Sequence, residues 1–341
     1  AGLLPRSAVG QPGTPDERRV KVDCGVWRVH PVRHDFEVVA WGTTNPWGLD
    51  WDDYGELFIT NCVIKHLFHV TPGGHYERMF GADPNPYTYG LLQSCADHIH
   101  WAGGHWTDPR GGQGAHSDAG GGHAHSGCSI YLGDDFPPEY RNNVFMCNIH
   151  GNRLNRDRLE PHASGYVARH APDFLFAGDP WFRGLNVKSG PGVGLYVSDW
   201  CDTGECHNYE VADVTNGRIV KIVYEERNAR EDERRAGSVS DRSVPFNLVE
   251  LSDAELVDLQ QHRNDWWVRH ARRVLQERAV AKALDPRVPA LLRKQFAAVK
   301  SVPARLRSVW ALEAIGALGD ADLMTLLADR DATLRAWGVA L

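Results

Sequence analysis

The hydrophobic pattern changes period near residue 224. Before that point, short apolar runs are broken by turn residues. "FEVVAW" (36–41) reads as a strand, and Leu49 and Trp51 end another before the turn Asp52-Asp53-Tyr54-Gly55. "ELFIT", "KHLFHVT", a Pro-Gly-Gly turn and "HYERM" predict three more strands, each bounded by turn chemistry. The phrase "NPWGLDWDDYGELFITN" returns as "FRGLNVKSGPGVGLYVSDW", and "GRIVKIVY" closes the second copy. Each copy is an approach strand, a turn, and a strand that ends in small polar residues. Such self-similarity predicts radially repeated sheets, here an incomplete β-propeller of about four to five blades over residues 20–224. A Gly/His-rich excursion, 81–127, interrupts it.

After a charged linker, 225–243, the period becomes helical. "LSDAELVDLQQHR" opens with a capping box, Ser252 as N-cap and Glu255 three residues on. "DWWVRHARRVLQERA", "PALLRKQFAAVKS", "ARLRSVWALEAIGAL", "DADLMTLLAD" and "DATLRAWGVAL" follow. An apolar-Arg pair recurs at Val268-Arg269, Leu306-Arg307 and Leu334-Arg335. Paired helices with an internal repeat predict a HEAT/armadillo-like all-α segment over 244–341. The Trp266, Trp310 and Trp337 stripe is expected to pack rather than to hold a cofactor.

Composition agrees with this division. Of 34 glycines only four lie after residue 224. The first 224 residues carry 18 Lys+Arg against 26 Asp+Glu, and an acidic domain lacks the clustered positive charge that a nucleic acid demands. No apolar run approaches the roughly 18 residues of a membrane span. The first 19 residues have no apolar core and no initiator Met, and the last helical pattern stops short, so a cut chain is expected at both ends.

Histidine is the densest candidate for chemistry. Seven of the 17 lie between 98 and 150, and "DHIHW" and "HAHSG" each space two by one residue. On a strand, such a pair points one way and converges on one ligand. His98 and His100 are the candidate proton acceptors; His123, His125 and Asp97 are the candidate metal ligands. Asp199 ends the strand "LYVSD", where binding loops start, and Arg183 could meet an anion; a hydrogen bond that fixes the rim turn and pairing with a neighbouring blade are the structural alternatives. Tyr87 and Tyr89 could stack on sugar faces. Cys201, Cys206 and His207 have the wrong gap for a c-type heme; a local disulfide, separate thiols and metal ligation stay open. No Gly-x-Gly-x-x-Gly sits at a strand-to-helix turn, and no P-loop or Gly-x-Ser-x-Gly elbow occurs.

"TNPWGLDWDDYGELFITN", "ADHIHWAGGHW", "GGGHAHSGCSIYLGDDFPPEYRNNVFMCNIHGNRLNR", "DPWFRGLNVKSGPGVGLYVSDW" and "LSDAELVDLQQHRNDWWVRHARRVLQER" together resemble the large planctomycete-type membrane-bound dehydrogenases. Their propeller is similar to that of sorbosone and soluble glucose dehydrogenases. The resemblance implies a sugar or alcohol dehydrogenase with pyrroloquinoline quinone and calcium. Arg183, Asp199 and His207 would then face the cofactor. Electrons would pass to a c-type cytochrome, with the heme not on this chain. It also implies a periplasmic or secreted protein. The family commonly has Phe-Arg-Pro where this chain has Phe182-Arg183-Gly184. The rival class is a non-catalytic scaffold that binds carbohydrate or protein; a metal-dependent hydrolase is a weaker third.

Overall fold

The computed structural model describes residues 8–22, 24–30, 33–191, 194–205, 208–224 and 247–341. The predicted linker, Cys206 and His207 lie outside the described residues. The chain forms two compact units. The first comprises Ala1–Tyr131, Tyr140–Lys188 and Leu195–Ile222, and the second comprises Leu132–Glu139, Ser189–Gly194 and Val223–Leu341.

The first unit is built of small sheets. Strands β1 (Ala8–Val9) and β2 (Val20–Lys21) pair at the start. β3 (Gly25–Val29) and β4 (Phe36–Trp41) form a hairpin. β5 (Pro46–Trp51), β6 (Leu57–Asn61) and β7 (Leu67–Val70) form an antiparallel meander. β8 (Gly74–His75) is all that remains of the strand expected at "HYERM", and it runs parallel to β4. The reason is local. The Tyr76 hydroxyl accepts from Thr71 N at 2.8 Å and donates to His69 O at 2.8 Å, so the Pro-Gly-Gly turn closes on itself and launches no hairpin.

The next sheet is a four-stranded antiparallel meander of β9 (His125–Ile130), β10 (Asn143–Asn148), β11 (Arg153–His162) and β12 (Gly165–Phe176). β13 (Gly184–Ser189), β14 (Leu195–Asp199) and β15 (Arg218–Ile222) make the last. Successive sheets meet through their first strands. Asp50 on β5 accepts from Ile130 N at 3.0 Å, and Ser126 on β9 donates to Gly184 O at 2.9 Å. Lys188 on β13 donates to Leu49 O and Cys128 O, at 3.0 and 2.8 Å. A Cβ on Gly48 would lie 2.9 Å from Cys128 Cβ, and one on Gly127 would lie 2.8 Å from Asn186 Cα. Any side chain at either position would hold the sheets apart.

The glycine-rich excursion has few side chains to pack, so its backbone is held by polar groups from the four-stranded sheet. Asn148 and Asn155 donate to Gly120 O at 3.1 and 2.8 Å. Buried Arg153 donates to Ser117 O, Gly112 O and Gly151 O at 3.1–3.2 Å. Before β9 begins at His125, a single helical turn, α1 (Ala115–Asp118), is the regular element there.

The second unit holds α2 (Asp253–Asp258), α3 (Asp265–Val280), α4 (Val288–Ala298), α5 (Val302–Ala314), α6 (Asp320–Leu327) and α7 (Ala332–Ala340). The capping box closes as the sequence predicts: Glu255 Oε2 accepts from Ser252 N at 2.8 Å, and Ser252 Oγ from Glu255 N at 3.3 Å. Leu256, Trp267, Ala271, Leu275, Leu292 and Leu312 form its core. Val268, Leu306 and Leu334, the apolar members of the recurring pair, are fully buried. The tryptophans pack half-buried, with Trp310 and Trp337 rings 5.2 Å apart.

Candidate functional site

Five imidazoles and one carboxylate meet in the first unit. His66 lies just before β7, His98 and His100 in the long excursion, and His125 at the start of β9. Asp157 on β11 and His170 on β12 are direct cross-strand partners. Ring centroids of His66, His98, His100, His125 and His170 lie 4.3–4.9 Å from their neighbours. His66 Nε2 sits 2.8 Å from Asp157 Oδ2. His98 Nε2 sits 3.1 Å from His100 Nε2 and 3.4 Å from Asp157 Oδ1. One ligand atom from each of His66, His98, His100 and Asp157 falls within 4.8 Å of all the others.

A surrounding layer fixes these rings. Asp97 Oδ1 accepts from His98 Nδ1 at 2.9 Å, and Arg169 binds the other Asp97 oxygen at 2.8 Å. His125 Nε2 meets His100 Nδ1 at 2.7 Å. Asp173 lies 3.5 Å from His170 and 2.7 Å from Arg153, which ties the cluster to the residue that holds the glycine-rich loop. Gly120, at φ +113°, lies against the His100 ring, where a Cβ would fall 2.8 Å from Cγ.

Electrostatics divide the cluster. Burial, then the like charges of its neighbours, push His100 and His125 well below the usual histidine value, so both are neutral. Burial also opposes charge on His98, but Asp157 and then Asp97 outweigh it and raise its pKa. Burial would raise Asp157, yet the charges and hydrogen bonds of His66 and His98 hold it far below the usual carboxylate range. His100 and Asp157 are enclosed, while the His98 and His170 side chains are 17% and 34% exposed. The cluster thus has a dry floor and an open lip.

Both sequence-predicted proton acceptors, His98 and His100, lie in the cluster. The predicted metal set of His123, His125 and Asp97 does not come together as one. His125 and Asp97 stand behind His100 and His98, respectively. His123 precedes β9, in a bend where Gly120, Gly121 and Gly122 all have positive φ, so the same-face rule for strands does not apply to it. Instead its ring meets His150 at 5.0 Å and Trp101 at 5.2 Å. His150 and Arg110 both pair with Glu205. Burial, then His150, lowers His123 to about 4.

Arg183 and Asp199 serve the β13–β15 sheet. The Arg183 guanidinium donates to the carbonyls of Gly204, Pro180, Phe182 and Thr203 at 2.6–3.1 Å. Asp199 accepts from Arg183 N, Cys201 N and the Arg218 guanidinium at 2.6–2.9 Å. His66, Asp157 and His170 carry no motif. The available signal was a strand, "RLNRDRL", with polar Asn155 and Asp157 at alternate positions where a packed strand has apolar ones; both are buried.

A β-module of consecutive antiparallel sheets carrying a buried polyhistidine–aspartate centre is therefore the class that fold and site define. Residues 7–235 match a family described as a domain of unknown function (DUF7133), and the chain belongs to that family. No curated protein matches it. Among solved structures it is similar to the PQQ-bound form of aldose sugar dehydrogenase from Streptomyces coelicolor, at 22% identity and TM-score 0.35, over 53% of this chain and 44% of that one. It is also similar to a glucose dehydrogenase, at 21% identity and TM-score 0.36, over 56% and 47%. The chain spans less than half the length of these structures.

Proposed function

We propose that the first unit is the oxidoreductase module of a sorbosone-dehydrogenase-like protein, acting on the CH–OH or aldehyde of a sugar or related alcohol. The observation that carries this reading is the convergence of His98, His100 and His125 with His66, His170 and Asp157 behind an open lip. A hydroxyl group bound at the lip meets His98 and His170; its proton passes to His170, whose charge Asp173 offsets, and the two electrons and the remaining proton leave to an external acceptor, a cytochrome or the assay dye. A propeller made of these sheets and HEAT-like helices, which rest on the internal repeats of the sequence, belong to this proposal, as do the planctomycete-type membership, a cytochrome acceptor and a periplasmic or secreted location, which rest on the resemblance.

The quinone does not fit where the sequence suggested it. Arg183 is committed to four carbonyls and Asp199 to three donors, so neither is left for a carboxylated quinone or for calcium. His207 lies outside the described residues.

The test is dye-linked oxidation by the purified protein over a panel of aldoses and alcohols, with and without added pyrroloquinoline quinone. Activity that falls at least tenfold in both His98→Ala and His170→Ala supports the reading. No dye reduction under any condition refutes it. A second reading, carbohydrate binding without chemistry, draws on Tyr87 and Tyr89, which are 77% and 99% exposed rather than packed. Sugar binding lost on Tyr89→Ala, in a protein that reduces no dye, would favour it.

A further inference from the structure

We infer that His66, His98, His100 and Asp157 form a binding site for one divalent transition-metal ion of the zinc, cobalt or iron(II) type. The donor set decides the class. Imidazoles with one carboxylate suit these ions, whereas magnesium and calcium take oxygens. The spacing agrees. Four ligands about 2.0–2.2 Å from a central ion stand roughly 3.3–3.5 Å apart in a tetrahedron. His98 Nε2 stands 3.1 Å from His100 Nε2 and 3.4 Å from Asp157 Oδ1, and one donor atom from each of the four residues lies within 4.8 Å of the others.

Ring orientation is the stronger argument. His98 gives its Nδ1 to Asp97, and His100 gives its Nδ1 to His125, so each turns Nε2 toward the same point. A carboxylate behind a ligating ring, as Asp97 stands behind His98, is the usual support of a metal-bound histidine. Two Nε2 atoms 3.1 Å apart share that point and cannot both present lone pairs to it; a proton or a cation must lie between them. Asp157 Oδ1 is buried, has no well-formed hydrogen bond, and has His98 Nε2 as its near neighbour at 3.4 Å. A buried carboxylate oxygen held by His98 at ion-pair distance, with no well-formed hydrogen bond of its own, suits a cation at the meeting point of two imidazoles. The half-exposed His170 stacks on His98 at 4.7 Å and would remain free to accept a proton from a group bound to the ion.

The inference concerns occupancy of the cluster and stands apart from the reaction proposed above. Its test uses the full chain, stripped by chelation and titrated with cobalt(II) and with zinc. One ion per chain is expected, with visible cobalt bands of a nitrogen/oxygen site. Asp157→Asn and His66→Ala should each weaken zinc affinity at least 100-fold, while His123→Ala binds as the parent does. A rise in the parent's melting temperature with zinc gives a second readout that needs no variant. Absence of a stoichiometric cobalt site in the parent overturns the inference, as does equal affinity in Asp157→Asn. Activity enters neither readout, so a protein that binds zinc yet reduces no dye would refute the oxidoreductase reading and leave the metal site intact.

Discussion

Gly120→Ala should disable the cluster without replacing any of its side chains. Gly120 has φ +113°, which costs a residue with a side chain about 1–2 kcal/mol. The new Cβ would also lie 2.8 Å from Cγ and 3.1 Å from Nε2 of His100. The backbone there cannot retreat easily, because Asn148 and Asn155 both hold Gly120 O and Gly122 N donates to His100 O at 2.7 Å. The ring must therefore move, and overpacking of this kind costs about 1–3 kcal/mol more. The expected total is about 2–5 kcal/mol, read by denaturant unfolding. Gly103→Ala separates the two contributions. Its φ is +91°, but nothing lies within 4 Å of its Cβ, so it should cost about 1–2 kcal/mol from the backbone alone. Zinc affinity should fall in Gly120→Ala and hold in Gly103→Ala. Equal stability loss in both variants, with zinc affinity unchanged, would refute the claim that Gly120 sets the position of His100.

Other outcomes follow from the same contacts. Burial pushes Asp52 up to about 6, against hydrogen bonds from Glu56 N, Tyr166 and Tyr54 N. A carboxyl whose folded pKa is raised stabilises the fold at low pH and loses that contribution as pH climbs from 3.8 through about 6. Asp52→Asn should therefore gain up to about 3 kcal/mol on the parent across that window, by unfolding at several pH values; parallel curves would refute it. In the chelator-stripped chain, Asp97→Asn removes part of the support that raises His98, so the His98 titration followed by NMR should move to lower pH, and an unmoved titration would contradict the assignment. Ser252→Ala breaks the capping box of α2 and should cost about 0.5–2 kcal/mol in the stability of the second unit. No measurable loss would show that the cap is replaced by water.

Strands and helices were legible where local pattern decides them. "FEVVAW" became β4, "LYVSD" became β14, and every apolar helical stripe became a helix. The site was half legible. The His-x-His spacing drew attention to residues 98–125, but only three of those four rings joined the cluster, because three left-handed glycines turn His123 away. Asp157 and His170 arrive by strand register, opposite each other and more than 50 residues from His98, and His66 comes from just before β7, so none leaves a trace in local spacing. Asp199 and Arg183 looked functional for the same reason that they matter structurally. A carboxylate at a strand end and a guanidinium at a sheet entry are also what ties a loop to its sheet.

Anomalous diffraction at the zinc absorption edge, from crystals of the zinc-loaded full chain, tests the central claim most directly. The account predicts one strong peak about 2.0–2.2 Å from an atom of each of His66, His98, His100 and Asp157. A peak bound instead by His123, His150 and Glu205, or no peak within the first unit, would contradict it.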